Sequence, residues 1–395
     1  MPMFNRSKES GAVSLFVVVF AMLFVTIVTI SFLRLMLSDQ QQATTNDLSQ
    51  SAYDSSLAGV EDAKRALILY RTICAADENS SACREARAVI NDENCNQGLR
   101  EVVTVPSDSS KNTEIPVQQD QSGTDGELNQ AYTCVLMQLE TDDYLGTVTA
   151  NTSKLIPLKS TAPFTEVLVE WYTGDDLGTT SKTVNLVPDA TAESNKSLYA
   201  QSDWPGNRPS LLRAQLMQFD KESFSLDSFD NSSATSSNAN TVFLYPSGQT
   251  NVERVIQDVR NIGLEDNRKQ PTGEPVPVKC SGNISKGGYA CSVRLQLPSP
   301  IDGSSVDRMG YLRLTGLYNS THFRVSLVGT QFDGVQPIVD STGRANDLYR
   351  RVENRVDLID TNFPFPEAAL DLTGNLCKDF AVTDQASDYS ATCTP

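Results

Sequence analysis

The side chains best equipped for covalent chemistry are eight cysteines, Cys74, Cys83, Cys95, Cys134, Cys280, Cys291, Cys377 and Cys393. No two stand in the C-x-x-C spacing of redox and many zinc sites, and all lie beyond the long apolar run near the N-terminus. An even count in an exported region reads as disulfides. Sequence alone does not choose among the many connectivities. Pairing neighbours gives Cys74 with Cys83, Cys95 with Cys134, Cys280 with Cys291 and Cys377 with Cys393; the last two pairs each join residues of one short, isolated segment.

The ionisable and aromatic residues point away from catalysis. His322 is the single histidine, and its neighbours Ser320, Thr321, Phe323 and Arg324 read as a strand, so a partly exposed sheet residue is expected. One histidine leaves no multi-histidine metal site and removes the usual base for Ser or Cys catalysis. A nucleophile elbow and a phosphate-binding glycine loop are both missing from the sequence. The adjacent acids Asp142 with Asp143 and Asp175 with Asp176 sit in polar stretches and are expected to face solvent. Trp171 and Trp204, with nearby tyrosines, read either as a glycan-binding aromatic face or as core. DQSGTDGE, residues 120–127, has the acidic and glycine content of a calcium loop without EF-hand spacing, and reads as a solvated loop. No catalytic, cofactor-binding or metal-binding residue is assigned, no cofactor is expected, and the chain is not expected to be an enzyme.

Arg344, Arg350, Arg351 and Arg355 gather near the end of the predicted β-region. Asp347, Glu353 and Asp357 interleave with them, and 49 acidic against 32 basic residues give a net charge of −17. That balance disfavours nonspecific attraction to nucleic acid or anionic lipid, so a sheet face laced with ion pairs is expected.

The element that must position everything else is the stretch GAVSLFVVVFAMLFVTIVTISFL, residues 11–33. From Ala12 to Leu33 it holds no charge and no proline, with Ser14, Thr26, Thr29 and Ser31 as its polar interruptions. As a helix it reaches about 33 Å, enough for the roughly 30 Å hydrocarbon core of a bilayer. A cleaved signal peptide would have a shorter apolar core and a small-x-small cleavage site. Arg6 and Lys8 against Glu9 in the short leader favour a cytoplasmic N-terminus, which puts the large C-terminal part outside. The pattern then continues without proline to about residue 73. Tyr53, Leu57, Val60, Ala63, Leu67 and Tyr70 recur at steps of three and four on one helical face, and Asp54, Glu61, Asp62, Lys64 and Arg65 lie opposite. Ala52, Ala58, Gly59 and Ala66 keep parts of that surface slim enough for close packing.

A basic leader ending in Gly11, followed by Ala12 and an unbroken apolar helix, resembles the class III leader of type IV pilin-like proteins, in particular PilX-type minor pilins. The resemblance implies cleavage between Gly11 and Ala12 by prepilin peptidase, and a helix whose first half enters a bundle of other pilin subunits while its second half anchors a sheet. Most pilins carry a glutamate as the fifth mature residue; here Phe16 fills that place, which implies a minor subunit at or near a filament tip. The segment between Cys377 and Cys393 is similar to the C-terminal disulfide-bounded region of many pilins. A single-pass anchored adhesin that never polymerises is the alternative. Either way the expected partners are the membrane and a host or neighbouring-cell surface.

The fold class expected is α+β, a long N-terminal helix packed on an antiparallel β-rich, disulfide-bearing pilin-like domain. Its order is leader 1–11, transmembrane helix 12–33, amphipathic continuation 34–73, a loop region 74–130 with a short helix over 82–90, a first β-rich region 131–260, a linker 261–277, a second β-rich region 278–360 and a C-terminal segment 361–395. Strands are expected over 132–139, 164–172, 183–187, 211–219, 241–245, 291–297, 311–318, 323–328 and 336–339. Beyond the helix the β-region reads either as one enlarged pilin sheet or as a pilin sheet carrying an inserted lobe.

Overall fold

The structure is a computed structural model, which describes residues 10–75, 77–103, 114–117, 129–178, 183–186, 201–220, 239–248, 259–264, 275–285, 287–301 and 308–358. The apolar run and the amphipathic run form one helix, α1 (Ser10–Cys74), of 65 residues. Nothing in the sequence interrupts it, since no proline occurs between Pro2 and Pro106. A second helix, α2 (Ser81–Ile90), starts where Ser80 accepts a hydrogen bond from the Cys83 amide at 3.1 Å. The Cys74–Cys83 disulfide ties its first turn to the end of α1.

The strands are β1 (Ile115–Pro116), β2 (Gln130–Thr141), β3 (Asp143–Val148), β4 (Ser153–Pro157), β5 (Phe164–Thr173), β6 (Leu211–Asp220), β7 (Ala239–Ser247), β8 (Val259–Asn261), β9 (Val276–Lys279), β10 (Tyr289–Ile301), β11 (Arg308–Leu317), β12 (Thr321–Leu327), β13 (Phe332–Ala345) and β14 (Leu348–Arg355). They form three sheets, ordered β1-β2-β13-β14, β3-β12-β5-β10-β8 and β4-β11-β6-β7-β9. Pairing is antiparallel except for β8 on β10 and β9 on β7. The chain is thus α+β, a long helix on a β-rich, disulfide-bearing domain. Residues 183–186 form no strand, contrary to the alternation of TVNLV. The Val184 and Asn185 amides are instead spent on Gly282 O and Asn207 O in loop contacts.

Two layers of packing follow from this order. The second half of α1 covers the first sheet, with Val60, Ala63, Leu67 and Tyr70 against Tyr132, Val135, Met137, Leu139 and Val339. The other two sheets bury a common core that includes Val169, Trp171, Leu212, Leu244, Val293, Leu314 and Phe323, and so make a β-sandwich. The Cys280–Cys291 disulfide joins the residue after β9 to β10 and thereby links the two sandwich sheets. Strands β3 to β12 all fall, in sequence, between β2 and β13, which are neighbours in the helix-backed sheet. The sandwich is therefore an insertion into a helix-on-sheet unit. The expected division at 261–277 is corrected: β5 pairs with β10 and β12, and β6 with β11, so strands from either side of that stretch share sheets. Alternating apolar runs mark strands but carry no record of which distant run they will pair with.

The face that α1 buries also differs from the expected stripe at its start. Tyr53 is 42% exposed and Leu57 half-buried, while Ala52, Ser55 and Ser56 are buried. The cause is how near the helix comes to β13. A Cβ on Gly343 would collide with Ala52 O and Ser56 N of the α1 backbone, and one on Gly59 would collide with Ser341 Oγ and lie 2.8 Å from Val135 Cγ2. Only small side chains fit under a helix seated on a strand in this way. Replacing Gly343 by Ala should therefore destabilise the chain by about 1–3 kcal/mol, measured by chemical denaturation of the full chain in detergent. Gly206→Ala, which meets open space, should be near neutral.

Candidate functional site: the projecting helix

Gly11 and Ala12 lie within the first turn and a half of α1, and residues 1–9 of the expected leader are outside the described residues. From Leu15 to Leu37 the large apolar side chains of α1 stand in the open. Phe16 is 69% exposed and stacks on Phe20, one turn away, at 6.3 Å between ring centroids. The polar interruptions do not break the apolar surface. Thr26 donates to Met22 O and Leu23 O, Thr29 to Val25 O and Ser31 to Ile27 O, at 2.7–3.0 Å. Each hydroxyl thus satisfies itself within the helix, which suits an environment without water. Among the described residues this is one helix long and apolar enough to cross a membrane.

Residues 38–47 continue the helix as an exposed polar stretch, with Thr44 and Thr45 bonded back to Gln40 O and Gln41 O. The helix then docks. Tyr132 Oη donates to Asp62 Oδ2 at 2.8 Å, Arg350 donates to Ser49 Oγ, and Arg71 Nη1 donates to Leu358 O. Sequence reasoning missed the group that shapes the loop after α2. Asn96 is fully buried in the left-handed region at φ 64°, donates its backbone N–H to Val135 O, accepts from Val135 N at its side-chain Oδ1 and donates its side-chain amide to Thr133 O. An asparagine tolerates that conformation at little cost, but Asn-rich loops are too common for the signal to be read beforehand. The neighbouring Cys95–Cys134 disulfide fastens the same loop to β2.

The other singled-out residues scatter. His322 on β12 is half-exposed, as its neighbours imply, with Nδ1 2.7 Å from Asp176 Oδ1. Asp176 is not solvent-facing. Its carboxylate accepts from the Thr173 and His322 amides and is 6% exposed, because it closes the turn after β5. Asp142 is exposed and accepts from Gln331, whereas Asp143 pairs with Arg355. Trp171 and Trp204 are both core residues, 0% and 6% exposed, with their indole N–H groups on Ser210 O and Pro209 O. An aromatic face built on them is thereby overturned, since burial is where their large rings gain most. Three of the four clustered arginines are ion-paired, Arg344 with Glu114, Arg351 with Asp340 and Arg355 with Asp143. Their partners come from elsewhere in the chain, Glu114 just before β1, Asp340 on β13 and Asp143 on β3, and not from the interleaved acids. Residues 120–127, Cys377 and Cys393 lie outside the described residues, and among the described residues no group of His, Cys, Asp and Glu is arranged to hold a metal.

The chain matches no protein-family model, no curated protein and no solved structure. Its site is defined by geometry: an uncovered apolar rod joined without a break to a half that is fixed on a sheet.

The folded domain beneath the helix and in the sandwich carries buried tyrosines. Burial and the bond to Asp62 push the Tyr132 hydroxyl above its ordinary value, burial and Asp357 do the same to Tyr144, and burial with Asp176 pushes Tyr172 up to about 12. A raised folded-state value means stability that is whole below pH 10.0, the ordinary tyrosine value, and is lost as pH climbs through the folded value. Stability should accordingly fall above about pH 10, and part of the tyrosinate absorbance should appear only in that range. Tyr132→Phe should shrink this late step and cost about 1.5–3 kcal/mol through the lost hydrogen bond to a carboxylate.

Proposed function

We propose that the chain is a minor subunit of a type IV pilus or related filament, trimmed between Gly11 and Ala12 and assembled through α1. The observation that carries the reading is the division of one 65-residue helix into an apolar part whose large side chains from Leu15 to Leu37 stand exposed and a part locked onto a sheet. A helix that is apolar all round is stable only in lipid or among other helices. The rigid continuation means that withdrawing the rod from the membrane moves the whole folded domain with it. In lipid the rod is held by the hydrophobic effect, and in a bundle the same surface packs against similar rods, so transfer between the two is balanced enough to be driven.

Phe16 fits this reading at the end of a filament. An unpaired carboxylate buried among apolar helices is costly, and a subunit with phenylalanine in that place needs no partner above it. The inserted sandwich is then the outward part, available for contact with a host or neighbouring cell. A second reading, a membrane-anchored adhesin that stays in the bilayer, rests on the same exposed rod.

Replacing Gly11 by Leu should leave the leader attached, read as an intact mass larger by the eleven-residue leader of the sequence. Sheared surface filaments should contain the wild-type chain beginning at Ala12. A chain that keeps Met1 in both cases, or that stays wholly with the membrane fraction after shearing, would overturn the assembly reading in favour of the anchored one.

A further inference from the structure

The sandwich joins the helix-backed sheet at two chain crossings, between β2 and β3 and between β12 and β13. Two crossings side by side form a hinge. Phe332 and Val335 of β13 sit in the sandwich core, 0% and 4% exposed, and give that hinge an apolar pivot. Apolar contact is non-directional, so it resists separation of the two parts more than it resists their rotation.

What opposes rotation is a set of polar groups reaching from the helix-backed sheet to the edge of the sandwich. Gln336, 5% exposed, uses its side-chain amide as a strand would. It accepts from Leu145 N, donates to Leu145 O and also donates to Asp357 Oδ1, each at 2.9 Å. Arg355 donates to Asp143 O at 2.7 Å and pairs with the Asp143 carboxylate at 2.8 Å. Asp357 in turn receives Lys154 at 2.6 Å. Residues 143 and 145 belong to β3, which is an edge strand paired on one side with β12. An edge strand needs partners for its outward backbone groups, and here the partners come from a different sheet. On the side of α2, Arg87 clamps Glu140 and Asp333, where β2 and β13 approach the crossings, and Lys159 reaches Glu78 at 2.6 Å.

We infer that Gln336, Arg355 and Asp357 form a latch that fixes the orientation of the sandwich on the helix-backed sheet, and that releasing it lets the sandwich rock about the Phe332 and Val335 pivot while both parts stay folded. The latch does not depend on whether the chain enters a filament. It turns the sandwich from a tethered lobe into a rigid extension of α1. Load or contact at one end is then felt at the other.

The test is a distance distribution between spin labels at Gln138→Cys and Ser292→Cys, both exposed and on opposite sides of the hinge, in the full chain held in detergent micelles. The wild-type background should give one narrow distribution. Arg355→Ala with Asp357→Ala should broaden it about twofold while circular dichroism stays native, and the exchange Arg355→Asp with Asp143→Arg should narrow it again. A natively folded double variant with the wild-type width overturns the latch. Where the double variant does not fold, Arg355→Ala alone, at a side chain 24% exposed, replaces it: broadening supports the latch and an unchanged width overturns it.

Discussion

Everything in this chain depends on a contact between two backbones, that of α1 and that of β13, made possible because Gly343 has no side chain. With the helix resting directly on the strand, Ala52, Ser55, Ser56 and Gly59 face the sheet, and the larger Val60, Leu67 and Tyr70, with Ala63 among them, take over further along. The seat fixes where the helix leaves the folded domain, and hence that the residues before it receive no cover from their own chain. Rigidity in the second half and exposure in the first are therefore one property seen from two ends. The part-buried Asp62–Tyr132 bond and the Cys74–Cys83 disulfide hold the same seat laterally and at its far end.

The sandwich solves a separate problem. A helix-backed sheet of four strands offers little surface of its own, and an insertion between neighbouring strands enlarges the domain without breaking the ladder between β2 and β13. Such an insertion leaves new strand edges near the crossings. The edge at β3 is closed by side chains of Gln336 and Arg355 in place of another strand, so the same atoms satisfy backbone groups and join the two layers. Buried polar groups are costly when unpaired. Their geometry consequently specifies an orientation where apolar packing alone would tolerate several.

The ionic residues show how position outweighs type. Four arginines within a short stretch resemble a phosphate-binding patch, yet Arg344, Arg351 and Arg355 each find a carboxylate in a different segment, and Arg350 turns to a serine of α1. Asp175 and Asp176 are adjacent, but the Asp176 carboxylate is turned inward because it closes a turn and meets the His322 amide. Neighbourhood along the chain did not predict either outcome, since strand pairing brings together residues far apart in sequence.

Local pattern made part of this protein legible. The absence of charge and proline over residues 12–33 and the three-and-four spacing that follows are enough to require a long helix, and alternation marked most of the larger strands, because both depend on a residue's near neighbours. The short helix after Cys74 belongs to the same class of short-range information; the three disulfides join cysteines that are consecutive along the chain, but sequence alone did not choose them among the possible pairings. Partnership lay beyond it: that β2 lies beside β13, that the strands between them form a sandwich, that Trp171 and Trp204 are core, and that Gly343 and not Tyr53 sets how α1 sits. Those outcomes were decided by tertiary structure, since each is fixed by which distant segments fill the same volume and by which polar groups must then be paired away from water.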